Sequence, residues 1–331
     1  MPSPRYKRTL NEEETIQLIW RVLSDGKHRG TPRSSDPFSD DVSWFRNVKK
    51  KRFVVSKSDI LVAETDAPCQ MSPRQIASKA ITAAISDFAA KGVRPSFCIL
   101  SIAIPKSKAT FDFIRSMAKG FDYASRRYGV KILAGDTSGS NDELVIDVAV
   151  FGFANSIVKR RGSKPGEVIG VSGKFGLQSS GLAILLGKAR SADKSFRSKA
   201  KQSVLEPNAR LALGLRIAKY LTSCIDSSDG LALSLYHIAE SSNVDVNLDL
   251  LPTAEGVQNF ANLNKLNENG LVLFGGEEYE LVMTFKSKYT NFLRRFGVIP
   301  IGRTSKAKNL RRPAVYFKSR KIPRKGWIHN Q

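Results

Sequence analysis

The stretch CIDSSDGLALSL, residues 224–235, carries an apolar run into Asp226, Ser227, Ser228 and Asp229, then into Gly230 and an apolar helical pattern. Comparable acidic positions recur along the chain. Asp40 and Asp41 close an N-terminal loop, Asp59 sits between FVVSKS and ILVA with Asp66 beyond it, and Asp136 stands in ILAGDTSGS between an apolar strand and a polar turn. Asp87 falls in the last turn of an otherwise apolar helical pattern, where it opposes the helix dipole. Singly, each has a structural reading: an N-cap for Asp229, a turn for Asp136, solvated loop charge for Asp40 and Asp41. Together, aspartates placed where apolar strands stop suit several hard divalent cations. Magnesium takes oxygen ligands, keeps several waters and uses one or two carboxylates per ion beside substrate phosphates, so several ions need several separated stations.

Phosphate recognition has fewer candidates. No P-loop is present, GVSGKFG has the wrong spacing, and no HRD or DFG constellation appears. AGDTSGS and SGKFGLQSSG remain as turns whose backbone amides could approach phosphate oxygens, the second leading into a helix N-terminus.

The elements that must position these groups are partly legible. FVVS, ILVA and FCILSIAI read as strands, and residues 144–154 form the clearest one, whose near-continuous apolar run predicts burial on both faces. The spacing predicts a helix over 72–91, with Ser72 as N-cap, Pro73 in the first turn, a face of Ile76, Ala80, Ala83, Ala84 and Phe88, and Gly92 as terminator. A second unit starts near RRGSKPGEVIGVSG, with a strand at 167–171. Helical patterns at 180–189, 208–221 and 229–241 then alternate with strands at 244–248, 280–285 and 298–301. This divides the chain into 1–155 and 156–331. The first 40 residues hold an amphipathic pattern at 11–23 and then a loop rich in Gly, Ser, Pro and charge.

At 331 residues the chain is long enough for two cores, and 41% hydrophobic with 25% charged residues is ordinary for a globular protein. No apolar run reaches membrane-spanning length, and the N-terminus lacks the apolar core of a secretory signal, so a cytoplasmic location is expected. Cys69, Cys98 and Cys224 form no CxxC pair and are expected to be buried thiols, and three scattered histidines argue against histidine-based metal chemistry. The net charge of +23 favours nucleic acid, anionic surfaces or phosphorylated small molecules. Spread along the whole chain without interleaved aromatics, it reads equally as solvated surface charge.

The order of these motifs resembles thiamine-monophosphate kinase, archaeal type, of the ATP-binding superfamily that includes aminoimidazole ribonucleotide synthetase. The resemblance runs through DPFSDD, SKSDILVAETDAP, MSPRQIASKAITAAISDFAAKGVRP, ILAGDT, RRGSKPGEVIGVSG, CIDSSDGLA, LFGGEEYEL and GWIH. It implies transfer of the terminal phosphoryl group of ATP to thiamine monophosphate. It also implies an N-terminal α+β domain whose sheet forms a dimeric barrel, a C-terminal α/β domain, a homodimer, and an active site between the domains and across the dimer. Magnesium ligands implied are Asp41, Ser58, Asp59, Asp87, Asp136, Asp226 and Asp229, with Asp136, Asp226 and Asp229 central to catalysis. Gly135, Asp136, Arg160 and Ser228 are implied at ATP, and Asp66, Glu277 and Trp327 at the thiamine substrate.

The chain departs from the family's pattern in places. Ser39 and Ala134 replace glycines, Lys57 and Ser58 stand where a hydroxyl pair is common, Asp66 stands where many bacterial members have histidine, and Gln178 replaces a common aspartate. Sister enzymes are disfavoured: the N-terminal loop has no reactive cysteine, the chain ends at Gln331 without one, and no GTDGVGTK-like segment occurs. A basic nucleic-acid-binding protein on the same fold would show binding that weakens steeply with salt. It would have little use for six separated aspartates, so neither nucleic acid nor a membrane is an expected partner.

Overall fold

The computed structural model describes residues 40–47, 52–309 and 312–326, together with Glu14, Thr15 and Leu18. Most of the amphipathic pattern at 11–23, the loop before Asp40, and Trp327 lie outside the described residues. β-branched and aromatic runs build a first sheet from β1 (Ser43–Asn47), β2 (Arg52–Val62), β3 (Pro95–Pro105), β4 (Lys131–Ser140) and β5 (Val145–Ala154). Its order is β1-β2-β5-β3-β4, with β3 and β4 parallel and the other pairs antiparallel. The sheet of one chain is open, with β1 and β4 at its edges.

β5 corrects an expectation. Ile146, Val148 and Val150 are fully buried, but the alternate residues Val145, Asp147, Ala149 and Phe151 are only half-buried. Among the described residues, helices cover only one face of the sheet; Phe45, Ile60 and Phe153, on the other, are 54%, 62% and 48% exposed. AGDTSGS likewise is no turn, because the strand continues through it as β4, paired with β3 as far as Ser140.

The helix α1 (Pro73–Lys91) forms for local reasons. Ser72 and Gln75 make a reciprocal capping box, Pro73 opens the first turn, and Gly92 closes the helix at φ 63. Its small residues let neighbours approach on most sides: α2 (Phe111–Tyr128) through Gly120, where an added Cβ would lie 2.1 Å from the Arg74 carbonyl, and the second unit through Gly214.

That unit holds a seven-stranded sheet of β6 (Val168–Val171), β7 (Leu221–Asp226), β8 (Val244–Leu248), β9 (Leu281–Phe285), β10 (Ile299–Lys306), β11 (Val315–Phe317) and β12 (Arg320–Lys321). Their order is β12-β11-β8-β10-β6-β9-β7. The helices are α3 (Leu177–Leu185), α4 (Lys194–Leu205), α5 (Leu211–Ile217) and α6 (Leu231–Ser242), followed by shorter ones. The helix expected at 180–189 starts and stops earlier, because Gly187 at φ 70 turns the chain and the amides of Lys188 and Ala189 close on the Ala183 carbonyl. α4 went unforeseen, since only Phe196, Ala200 and Val204 of its largely polar sequence are buried, a stripe one residue wide. The architecture is a mixed α/β fold of two sheets with α1 between them. No described helix is long and apolar enough to cross a membrane. Cys98 and Cys224 are buried, whereas Cys69 is exposed, contrary to expectation.

Candidate active site

Lys79, Asp87 and Lys91 recur at helical spacing on α1, and all are buried. Lys91 has no exposure at all. Its ammonium lies 2.6 Å from Asp40 and 2.5 Å from Asp41, and donates to the Cys224 carbonyl at 2.9 Å. Arg160 pairs with Asp41 through its guanidinium and donates its backbone N–H to Asp40 at 3.1 Å. Burial alone would raise the Asp41 carboxyl, but Lys91 and Arg160 outweigh it and hold the group well below the usual carboxylate range.

Beyond this clamp the balance reverses. Asp87 meets Lys57 of β2 at 2.8 Å, which answers why a helix ends on a buried acid. Burial still raises the Asp87 carboxyl against the pull of Lys57. Asp226, at the end of β7, is pushed well above its ordinary value by burial and then by Asp87 and Asp41. Asp59 is pushed up to about 6, first by burial and then, against Lys57, by Asp87, Asp229 and Asp147. Asp41, Asp59, Asp87, Asp226 and Asp229 therefore share one electrostatic neighbourhood, although they come from a loop, two strands, a helix and a strand-to-helix turn.

Asp66 and Glu277 meet through Lys79. Its ammonium lies 2.5 Å from Glu277 and donates to the Asp66 carbonyl, while the Asp66 carboxylate accepts the Val62 amide at 2.8 Å. The turn after β7 and residues 277–280 are joined by backbone bonds: Glu277 N–H to Ser228, Tyr279 N–H to Ser227, and Ser227 N–H to Glu280. Glu277 and Tyr279 adopt φ of 64 and 50, conformations that side chains with a Cβ rarely take. Gly326 rests on the Asp229 carbonyl, where an added Cβ would come within 2.3 Å, so the C-terminal segment returns to the site; Trp327 itself lies outside the described residues.

Two positions are not brought in. Asp136 is exposed on β4, its carboxylate accepting the Thr137 amide at 2.9 Å. Sheet register aligns Asp136 with Ser101, Ser101 with Asp147 and Asp147 with Ile60, so Asp136 is three strands, roughly 14 Å, from β2 and on the uncovered face. Ser58 is on that face too, donating to Asp147 at 2.7 Å. Gly135 precedes Asp136 where a Cβ would come 2.7 Å from the Leu100 carbonyl. The second glycine-rich turn is already filled. Glu278 accepts the Gly176 and Gln178 amides at 2.6 and 3.4 Å, occupying the N-terminus of α3 that a phosphate would need. Burial pushes the Glu278 carboxyl up to about 8.

Lys79, Lys91 and Asp147 were missed by sequence reasoning, and Lys57, singled out as standing where a hydroxyl is common, was not foreseen as the partner of Asp87. Lys79 and Lys91 carried a signal, because with Asp87 they break an apolar helix on one side only. Asp147 carried none, since its partner Ser58 is set by strand pairing, and the Lys57–Asp87 pair is set by the packing of β2 on α1.

The donor set suits a divalent cation on the side of Asp59, Asp226 and Asp229. Asp229 repels Asp59, Asp87 repels both Asp59 and Asp226, and the buried Ser227 hydroxyl between Asp226 and Asp229 in sequence has no hydrogen-bond partner among the described residues. No three His, Cys, Asp or Glu side chains among the described residues form a ligand set alone. Magnesium that keeps waters and shares substrate phosphates does not require one.

Residues 39–154 match the family described as AIR synthase related protein, N-terminal domain. A thiamine-monophosphate kinase of Nitrosopumilus maritimus (strain SCM1) is 35% identical over 328 residues, covering 97% of this chain and 98% of that protein. One from Pyrococcus horikoshii is 33% identical over 279 residues, covering 82% and 84%. The solved structure of AaThiL complexed with AMPPCP and TMP superposes with a TM-score of 0.85 at 25% identity, covering 98% of this chain and 99% of that one.

Proposed function

Because this chain belongs to the thiamine-monophosphate kinase family, we propose that it transfers the terminal phosphoryl group of ATP to thiamine monophosphate, giving thiamine diphosphate in the cytoplasm. The observation that carries the reading is the convergence of Asp41, Asp59, Asp87, Asp226 and Asp229 beside the clamp that joins Asp66 to Glu277.

The acceptor is itself a phosphate monoester, whose second pKa of about 6 leaves it largely a dianion at neutral pH. No general base is needed, and the obstacle is repulsion between two polyanions. Magnesium, when bound, supplies the charge that offsets this repulsion, and Asp59, Asp226 and Asp229 are the residues that would hold it. Asp41 and Asp87 belong to the same set with part of their charge already neutralised. Arg160, Gly135 and Ser228 are assigned to ATP. Asp66, Glu277 and Trp327 are assigned to the thiamine end, with Lys79 fixing the Glu277 carboxylate against α1. The direct test is to incubate the purified protein with magnesium, ATP and thiamine monophosphate and to look for thiamine diphosphate. A folded protein that binds ATP and yields none removes the kinase reading.

We assign the uncovered face of the first sheet to a second copy of the chain, closing a barrel and forming a homodimer. Apolar Phe45, Val54, Phe97, Phe151 and Phe153 share that face, with Phe97 and Phe151 stacked at 5.1 Å. Sedimentation should give twice the chain mass and Phe153→Asp should return it to the monomer; a wild-type monomer at micromolar concentration overturns the assignment. The same assignment accounts for Asp136 and Ser58, which lie on this face, and makes them part of a site completed across the dimer. Asp136→Asn should lower turnover by more than ~10²-fold without shifting the unfolding midpoint of the isolated chain, since its side chain is exposed on β4. An active variant would leave Asp136 with only its bond to Thr137.

A further inference from the structure

Lys57 and Lys91 both pair with acids of the cluster, but in different ways. Lys91 is fully buried, and its three N–H donors are matched by Asp40, Asp41 and the Cys224 carbonyl. It is committed to the fold. Lys57 lies on β2 with its side chain 26% exposed, and its ion pair among the described residues is with Asp87 at 2.8 Å. Asp59 of the same strand and Asp41 of the loop face it as well.

A magnesium ion bound to Asp87 would have to approach a carboxylate oxygen to about 2.0–2.1 Å. The ammonium already sits against Asp87 Oδ2, and two cations cannot share that lone-pair region. Both arrangements place positive charge at the same point. They differ in that one is a diffusible ion with waters and the other is fixed by the backbone of β2.

We propose that Lys57 is a tethered cation that takes the place of one divalent ion at Asp87, so that this chain binds one metal fewer than the same site would with a neutral hydroxyl at that position. The inference rests on the kinase reading for its purpose, the offsetting of phosphate charge, but its test does not require turnover.

The experiment counts Mn²⁺ bound per chain by electron paramagnetic resonance of the free ion, in the presence of a non-hydrolysable ATP analogue and without thiamine monophosphate. Lys57→Ser should bind one more Mn²⁺ than the wild type, and the double variant Lys57→Ser, Asp87→Asn should return to the wild-type number. Equal counts in the wild type and Lys57→Ser overturn the proposal. A second readout needs no variant. The Lys57 ¹⁵Nζ resonance, protected by its pairing with Asp87, should persist when Mg²⁺ and the analogue are added; its loss to solvent exchange would mean that the metal displaces the ammonium, and would overturn the proposal even if Lys57→Ser fails to fold. If these readouts hold but no thiamine diphosphate is formed, the kinase reading fails and the tethered cation stands. If product is formed and the counts are equal, the reverse applies.

Discussion

Asp226→Asn is expected to lower turnover by roughly 10²–10³-fold, the loss typical when one preorganised charge-stabilising group is removed, while raising the unfolding midpoint of the metal-free protein. The two effects have one cause. Asp226 is 5% exposed, and its carboxyl is pushed well above its ordinary value by burial, Asp87 and Asp41. Its charged form is therefore a burden on the folded state at neutral pH, and asparagine removes that burden at nearly constant volume. In the proposed function the same negative charge holds a cation over the phosphates. Thermal unfolding in chelator and a steady-state assay, run on one preparation, check both halves. A variant that is less stable than the wild type in chelator would mean that the carboxylate is held by bonds rather than repelled by its neighbours.

Lys91→Met should have the opposite sign and cost the fold on the order of 3–5 kcal/mol, the range for breaking a buried ion pair by deleting one partner. The lysine has no exposure, and its removal leaves Asp40 and Asp41 buried with Arg160 as their remaining cation. Methionine fills the volume, so packing contributes little to the loss. Denaturant unfolding gives the number, and adding Asp41→Asn to Lys91→Met should recover part of it, since the second change removes the acid left unpaired. A loss below about 1 kcal/mol would show that water replaces the ammonium.

How much of this was legible follows from the range of each interaction. α1 was readable to its ends because its capping box, Pro73 and Gly92 are local devices. The aspartates were readable as a set because the family resemblance ordered them, although only Asp226 and Asp229 sit where a strand gives way to a helix, while Asp59 and Asp136 lie within β2 and β4. Their partners were not. Lys57 meets Asp87 only once β2 packs over α1, and Asp136 lies apart from the other acids because β4 pairs outside β3, at a sheet edge. The two-sided burial expected of β5 failed because an apolar run does not say whether the chain supplies a second layer to cover it. The glycine-rich turn at 172–181 resembled an anion cradle, but Glu278, about a hundred residues away in sequence, supplies the anion.

The backbone bonds joining Ser227 and Ser228 to residues 277–280 have a further consequence. They tie Ser228, assigned to the nucleotide, directly to Glu277, assigned to the vitamin. On that assignment, part of the spacing between donor and acceptor phosphorus atoms is set by the fold before either molecule arrives. Much of the entropy otherwise lost in bringing the reactants together is thus surrendered when the polypeptide folds rather than at each turnover.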